Sequence, residues 1–386
     1  MAALGGDVDC LKYLYIGFIY RVSVDMISRE MDTSLDGLAR RSLKFIKAIE
    51  DSRPPLISSG LASKIAGLKR EFDLLRPLRP DMVCRMAMAL KTEYAYHTIS
   101  LEGNTLSLEE TRLVIDYGMT VRNHPLREHL EAANIPKALE YIIELSKKSR
   151  KLKADDILAL HSIVMRGIDE AEPGRFRSGY VAIAGSKYLP PPAYEVPFLV
   201  EQMVEHLNSN PFKLDPVELA FKAHLWLVSI HPFRDGNGRI ARLLMGLILL
   251  RGGYPPAIIR REHRRRYLSV IEKAQTRLDF KPYYDFMAQE LLTTMNMYLI
   301  MIRQQSGEDA VVSLVETAKK YGLDPGYLGL LARRGLLPAI KVGNRWHIRV
   351  KDLKTYLAKR RLRRINMDGV NNLVKQEVDD QRASQT

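Results

Sequence analysis

Apolar positions step by three and four residues through most of this chain, the spacing of amphipathic helices. The clearest stripe is Val83, Met86, Leu90, Tyr94, His97 and Leu101, which predicts a helix over Asp81 to Glu102 with one face in the core. Gly103 follows as its natural stop, because glycine alone enters the left-handed conformation without a steric cost. Ser107 with Glu110 three residues on is a capping box opening another helix. Further helices are expected from Arg127 to Ser146 and from Ala154 to Met165. Asp215, Pro216 and Glu218 supply an N-cap, a first-turn proline and an N3 acid for a helix reading ELAFKAHLWLVSI. That helix ends at His231, and a second apolar helix, RIARLLMGLILL, begins at Arg239. Both are apolar nearly all round, so both belong inside the molecule. His97, His124, His129, His161, His224 and Trp226 read as packing residues.

The helical rhythm breaks twice. Between Pro173 and Pro192, PGRFRSG is turn-like, VAIAG is a short β run and SKYLPPP ends in three prolines. A β-hairpin is expected there, with Lys187 and Tyr188 at its tip. Beyond a polar linker at Ser306 to Asp309 come helices at Leu314 to Tyr321 and Pro325 to Arg334. Two β runs, PAIKVG and RWHIRV, then flank Gly343-Asn344, and a helix follows from Lys351 to Arg360. The predicted class is mainly α, with a small C-terminal unit. The regions are 1–70, short helices or loops broken at Pro54-Pro55; 71–150, helical; 151–305, the helical core; 311–364, the C-terminal unit; and 365–386, a polar tail expected to be disordered. Near the start, LYIGFIY is too short to cross a bilayer and reads as a buried strand or short helix. Asp7 and Asp9 precede it and no small-residue cleavage site follows, which argues against a signal peptide. Met26 and Met31 stay open as alternative starts.

Composition narrows the class. Of 386 residues 46% are hydrophobic and 27% charged, which suits a soluble protein with an ample core. Cys10 and Cys84 are too few for a disulfide framework or a cysteine metal site, which points to a reducing, cytoplasmic setting. The formal charge is +14, and residues 311–364 carry 14 Lys or Arg against 3 Asp or Glu, a net of +11. Most of the excess therefore sits in the C-terminal unit, which points to a nucleic-acid partner there. The arginine run RREHRRR at 260–266 reads as a solvated helix face.

Candidate chemistry concentrates in HPFRDGNGRIAR, residues 231–242. Gly236 and Gly238 flank Asn237 at the opening of the second apolar helix, whose first N–H groups have no intrahelical partner and suit an anion. Arg239 and Arg242 are three residues apart, on one helix face. Asp235 is a hard oxygen donor, placed for Mg²⁺ between phosphates. His231 is the group able to take a proton near neutral pH.

These twelve residues resemble the signature of the Fic family, HPFx[D/E]GNGRxxR, at every specified position. The resemblance implies the Fic fold and transfer of AMP from ATP to a Ser, Thr or Tyr hydroxyl of a protein target. It implies that His231 deprotonates the hydroxyl and that Asp235 holds Mg²⁺. Gly236, Asn237 and Gly238 would form the anion hole, Arg239 and Arg242 would grip the outer phosphates, and Phe233 would anchor the loop. Thr98 to Gly103 is similar to the family's inhibitory motif [S/T]xxxE[G/N]; there Glu102 would pair with Arg242 and keep it from the γ-phosphate. The expected hairpin resembles the Fic flap, where Lys187 and Tyr188 would meet a target strand. The C-terminal unit resembles the winged helix-turn-helix of excisionase- and MerR-like proteins. This implies contacts to double-stranded DNA from Arg333 and Arg334 on the recognition helix and from Lys341, Arg345 and Arg349 on the wing. Removal of AMP by the same residues, a DNA-binding regulator with a silent Fic domain, and a homodimer all stay open.

Overall fold

The computed structural model describes residues 41–74, 80–168, 173–306, 311–342, 345–349 and 352–357. The LYIGFIY run, the polar tail, most of the 306–309 linker and the Gly343-Asn344 turn lie outside them. After a helical stretch at 41–50, the elements are α1 (Ser59–Leu74), α2 (Pro80–Leu101), α3 (Leu108–Tyr117), α4 (Leu126–Lys147) and α5 (Ala154–Val164). Then come α6 (Val196–Ser209), α7 (Pro216–Ile230), α8 (Asn237–Arg251), α9 (Arg264–Arg277) and α10 (Lys281–Ser306). The C-terminal unit adds β1 (Val311–Ser313), α11 (Leu314–Lys320), α12 (Pro325–Arg333), β2 (Ala339–Val342) and β3 (Arg345–Arg349). Residues 352–357 are helical again.

Helices α7 and α8 are the centre of the bundle. Among the described residues their packing against each other is the most extensive, and α4 lies against α8. Leu225, Trp226, Leu227 and Ile230 of α7 and Ile240, Leu243 and Met245 of α8 are fully buried. This is what all-round apolarity demands. Asp215 caps α7 by accepting from Val217 and Glu218 N–H, as its sequence predicts, and the Ser107–Glu110 capping box opens α3.

The C-terminal unit has its own small core of Leu314, Leu328, Leu331, Leu337, Ile348 and Leu353. Its sheet runs β1-β3-β2, antiparallel, with Val312 opposite Ile348 and Lys341 opposite Trp346. The sequence pattern contains β2 and β3. Strand β1 is three residues long, too short to set up an alternation that could be read.

The expected hairpin at 173–192 is corrected: no residue of that segment is in a strand. A tight turn closes where Ser186 N–H donates to Ile183 O. Pro190, Pro191 and Pro192 have no N–H to give to a ladder, so the two halves cannot pair along their length.

Candidate active site

The loop from His231 to Gly236 joins the C-terminus of α7 to the N-terminus of α8 and is braced from within. Asn237 Nδ2 donates to Phe233 O at 2.8 Å, and Phe233 N–H donates to Asn237 Oδ1 at 2.9 Å. The Asn237 side chain is thus spent on loop shape, and what it can offer an anion is its backbone N–H. Phe233 is fully buried and stacks on His161, rings 3.8 Å apart and 6° from parallel. His161 accepts from Gly174 N–H at Nδ1, so its Nε2 carries a proton and donates to Asp235 O at 3.1 Å. Gly236 has φ +79, a conformation open to glycine. At Gly238 the constraint is space: a Cβ there would run into Glu102 Oε1 and sit 3.0 Å from Arg242 Nη1.

His231 also takes a left-handed conformation, φ +52, as the cap of α7. Arg177 holds it there. This buried arginine donates from Nε to His231 O at 2.8 Å, from Nη1 to Gly179 O and from Nη2 to Pro191 O, and its own N–H reaches Pro232 O. One guanidinium thereby fastens the 173–192 segment to the end of α7. The sequence marks Arg177 with nothing beyond its place in a turn-like stretch, because its partners are carbonyls and carbonyls leave no trace in composition. His231 Nδ1 faces Val228 O at 3.2 Å. A carbonyl only accepts, so Nδ1 carries the proton and Nε2 is left with a free lone pair. Burial, joined by the positive charge of Arg177, pulls the imidazole pKa down to about 4, against the opposing Val228 hydrogen bond. The ring is neutral at physiological pH, ready to accept a proton.

Charges alternate around the loop. Burial works to raise the Asp235 pKa, but Arg239, the Gly236 N–H and Arg127 outweigh it and hold the carboxyl below its usual range. Asp235 Oδ1 accepts from Gly236 N–H at 2.5 Å and lies 3.2 Å from Arg239 Nη2, while Oδ2 pairs with Arg127. Arg239 is buried, with Nη1 3.3 Å from Glu131, and neither its Nε nor its Nη1 has a well-aligned hydrogen-bond acceptor. Arg242 turns the other way. Its Nη2 donates to Glu102 Oε1 at 2.6 Å and to Thr98 O at 2.9 Å, and its Nε to Thr98 Oγ1 at 2.7 Å. The two arginines share a helix face yet serve separate carboxylates.

Comparison with known proteins places this geometry. Residues 151–249 match the Fic/DOC family model and 311–361 a helix-turn-helix domain model. The chain is 35% identical to protein adenylyltransferase fic-1 of Caenorhabditis briggsae over 260 residues, 66% of this chain and 50% of that protein. It is 37% identical to protein adenylyltransferase Fic of Aedes aegypti over 54% of this chain and 41% of that one. It thus spans about half the length of the curated relatives it matches. Among solved structures, Fic-1 residues 134–508 of C. elegans superpose with a TM-score of 0.55 at 34% identity, covering 62% of this chain and 70% of that one. This chain belongs to the Fic family. A Fic-domain signaling protein of Bacteroides thetaiotaomicron agrees in fold, with a TM-score of 0.57 and 28% identity over 64% of this chain and 97% of that one.

Within this Fic protein the residues predicted to make contacts stand in different surroundings. Tyr188 is not at an exposed tip. Its ring is buried against Phe45 and its hydroxyl donates to Ser229 O at 3.0 Å, because an aromatic ring beside α7 gains more from the core than from water. Lys187 is exposed next to it, with its N–H on Glu272. In the C-terminal unit Arg333, Arg334 and Arg345 are exposed. Lys341 instead pairs with Glu262 of the Fic core at 3.0 Å, and Arg349 with Asp352 at 2.5 Å. The arginine run at 260–266 does more than face solvent. Arg264 Nε donates to Leu101 O at 2.7 Å, Arg261 Nη1 to Tyr96 OH at 3.1 Å, and Arg261 N–H to His97, so the run holds the end of the helix that carries Glu102.

Proposed function

We propose that this site transfers AMP from ATP to a Ser, Thr or Tyr hydroxyl of a protein. The hydroxyl oxygen attacks the α-phosphorus, the bond to the α–β bridging oxygen breaks, and pyrophosphate leaves. The hydroxyl proton passes to His231 Nε2. The observation that carries this reading is the His231 tautomer: Nδ1–H is committed to Val228 O, so a neutral base with a free Nε2 lone pair stands in the loop that opens α8, where Gly236 and Gly238 carry no side chains of their own. The first N–H groups of α8 receive phosphate oxygens. The Nε of buried Arg239 has no acceptor and its Nη1 meets only Glu131 at 3.3 Å, so the guanidinium fits an arriving anion beside it. Names of relatives as protein adenylyltransferases support the same reaction.

The donor set suits Mg²⁺. Among the described residues no group of three or more His, Cys, Asp or Glu stands together to hold a metal. One ionised carboxylate, Asp235, beside the phosphate site is the arrangement Mg²⁺ accepts, since it takes most of its ligands from phosphates and water. When bound there, Mg²⁺ supplies positive charge to the phosphate oxygens. Glu102 is the brake in this reading: its carboxylate lies over Gly238 and occupies Arg242, the cation otherwise available to the γ-phosphate.

The test is incubation of wild type, Glu102→Gly and His231→Ala with labelled ATP and cell lysate. Label is expected on a protein target and on the Fic protein itself with Glu102→Gly, little with wild type and none with His231→Ala. Equal labelling by His231→Ala removes the base assignment.

A second activity is favoured by the helix-turn-helix match and by the +11 net charge of residues 311–364. The C-terminal unit binds duplex DNA, with the exposed Arg333, Arg334 and Arg345 on phosphates or bases.

A further inference from the structure

Arg127 is the second residue of α4, where the helix dipole disfavours a cation. Within its helix only the i,i+4 pair with Glu131 favours it, and its partner outside the helix is Asp235. Nη2 pairs with Asp235 Oδ2, and Nε lies 3.3 Å from Glu131 Oε1. The side chain is 56% exposed, so water can take over its hydrogen bonds if it leaves. Glu131 does not depend on it: that buried carboxylate also faces Arg239 Nη1 at 3.3 Å and accepts from Asn104 Nδ2 at 2.9 Å. Asp235 Oδ1 is already committed to Gly236 N–H and Arg239. Removing Arg127 therefore uncovers Asp235 Oδ2 and takes one hydrogen bond from Glu131 Oε1, which keeps the Arg239 charge beside it.

We propose that Arg127 stands in for the divalent cation on Asp235 in the metal-free protein. A metal ion then binds only by displacing the guanidinium, and Arg127 sets the concentration at which it does so. This rests on the reading of Asp235 as the metal ligand. Both cations want the same carboxylate oxygen, and two positive groups cannot share it at contact distance. Neutralising Arg127 removes the competitor but leaves the carboxylate, its Gly236 hydrogen bond and its Arg239 partner in place.

The test uses the full chain with Mn²⁺ and saturating ADP, whose phosphates supply the remaining ligands, followed by water-proton relaxation, so that no turnover is needed. Arg127→Gln is expected to bind Mn²⁺ about threefold to fivefold more tightly than wild type, the size of a half-exposed ion pair. Arg127→Lys, which keeps the charge without the fork, should fall between them, and Asp235→Asn should lose the site. Loss in Asp235→Asn with unchanged or weaker affinity in Arg127→Gln overturns this inference alone. Undiminished binding by Asp235→Asn, or no binding by any of the proteins, overturns the metal assignment and this inference with it.

Discussion

Glu102 Oε1 accepts from Arg242 Nη2 at 2.6 Å across a sequence separation of 140 residues. Arg242 is buried and Glu102 is partly open, with side-chain exposures of 2% and 38%. Burial works against the arginine's charge, but Glu102 outweighs it and keeps the guanidinium protonated. The pair is therefore lopsided: Glu102 can leave for water, whereas Arg242 cannot and needs another anion. A γ-phosphate is such an anion.

From this asymmetry, Glu102→Gly should raise AMP transfer by about tenfold or more, the usual size of a coupling between two sites. Arg242 keeps Thr98 as a partner but loses its anion, so the thermal midpoint should fall until a nucleotide supplies another. Initial rates with labelled ATP, read beside a melting curve, check both. An unchanged rate would remove Glu102 as the brake.

Arg177 should behave as a positioning residue, since it touches the His231 carbonyl and not the ring. Arg177→Lys is expected to lower kcat by about tenfold to a hundredfold, a loss typical of small misplacement, with nucleotide affinity kept within about twofold. The acid limb of the rate profile moves to higher pH if the bulk of the guanidinium's charge is drawn away from the imidazole. A fall in nucleotide affinity matching the fall in kcat would mean that the variant disturbs the whole loop.

Three histidines have their pKa lowered chiefly by burial, His206 and His231 to about 4 and His224 to about 3. Unfolded, each titrates near 6.5. Between those values the unfolded chain holds more protons than the folded one, so stability falls as pH falls. The thermal midpoint should decline steadily from about pH 6.5 to 4, before most carboxylates titrate. A midpoint flat across that window would show that these rings take up protons as readily in the folded protein as in the unfolded chain.

DNA binding should separate the C-terminal cations into two groups. Replacing Arg333, Arg334 or Arg345 with Gln is expected to reduce the salt slope of binding by about one each. Lys341→Gln and Arg349→Gln should reduce it less, because these side chains are already paired with Glu262 and Asp352. Binding isotherms at four or more salt concentrations decide this. Equal effects from all five would place Lys341 and Arg349 on DNA after release of their partners.

Gly238→Ala should cost nucleotide affinity at least as much as it loosens Glu102. A methyl group there enters space now filled by the Glu102 carboxylate and crowds Arg242 Nη1. With Glu102→Gly as background the carboxylate clash is gone, and any remaining loss of affinity measures obstruction of the anion site itself. Full affinity in that double variant would put the phosphates elsewhere.

The loop from His231 to Arg242 was legible in the sequence because its parts are neighbours along the chain. An apolar helix, a turn with two glycines and a second apolar helix impose their geometry locally, and the caps at Asp215 and Ser107 do the same for other elements. The pairing of Glu102 with Arg242 could be anticipated through a short motif, but its distance and asymmetry needed coordinates. Nothing in the sequence pointed to Arg127 on Asp235, 108 residues away, or to Arg177 on the His231 carbonyl, 54 residues away. Each is a flexible side chain reaching a partner that only chain folding brings near. Tyr188 and the 173–192 segment teach the converse. Local pattern assigned them a hairpin tip, but burial against Phe45 and three prolines without N–H groups decided otherwise.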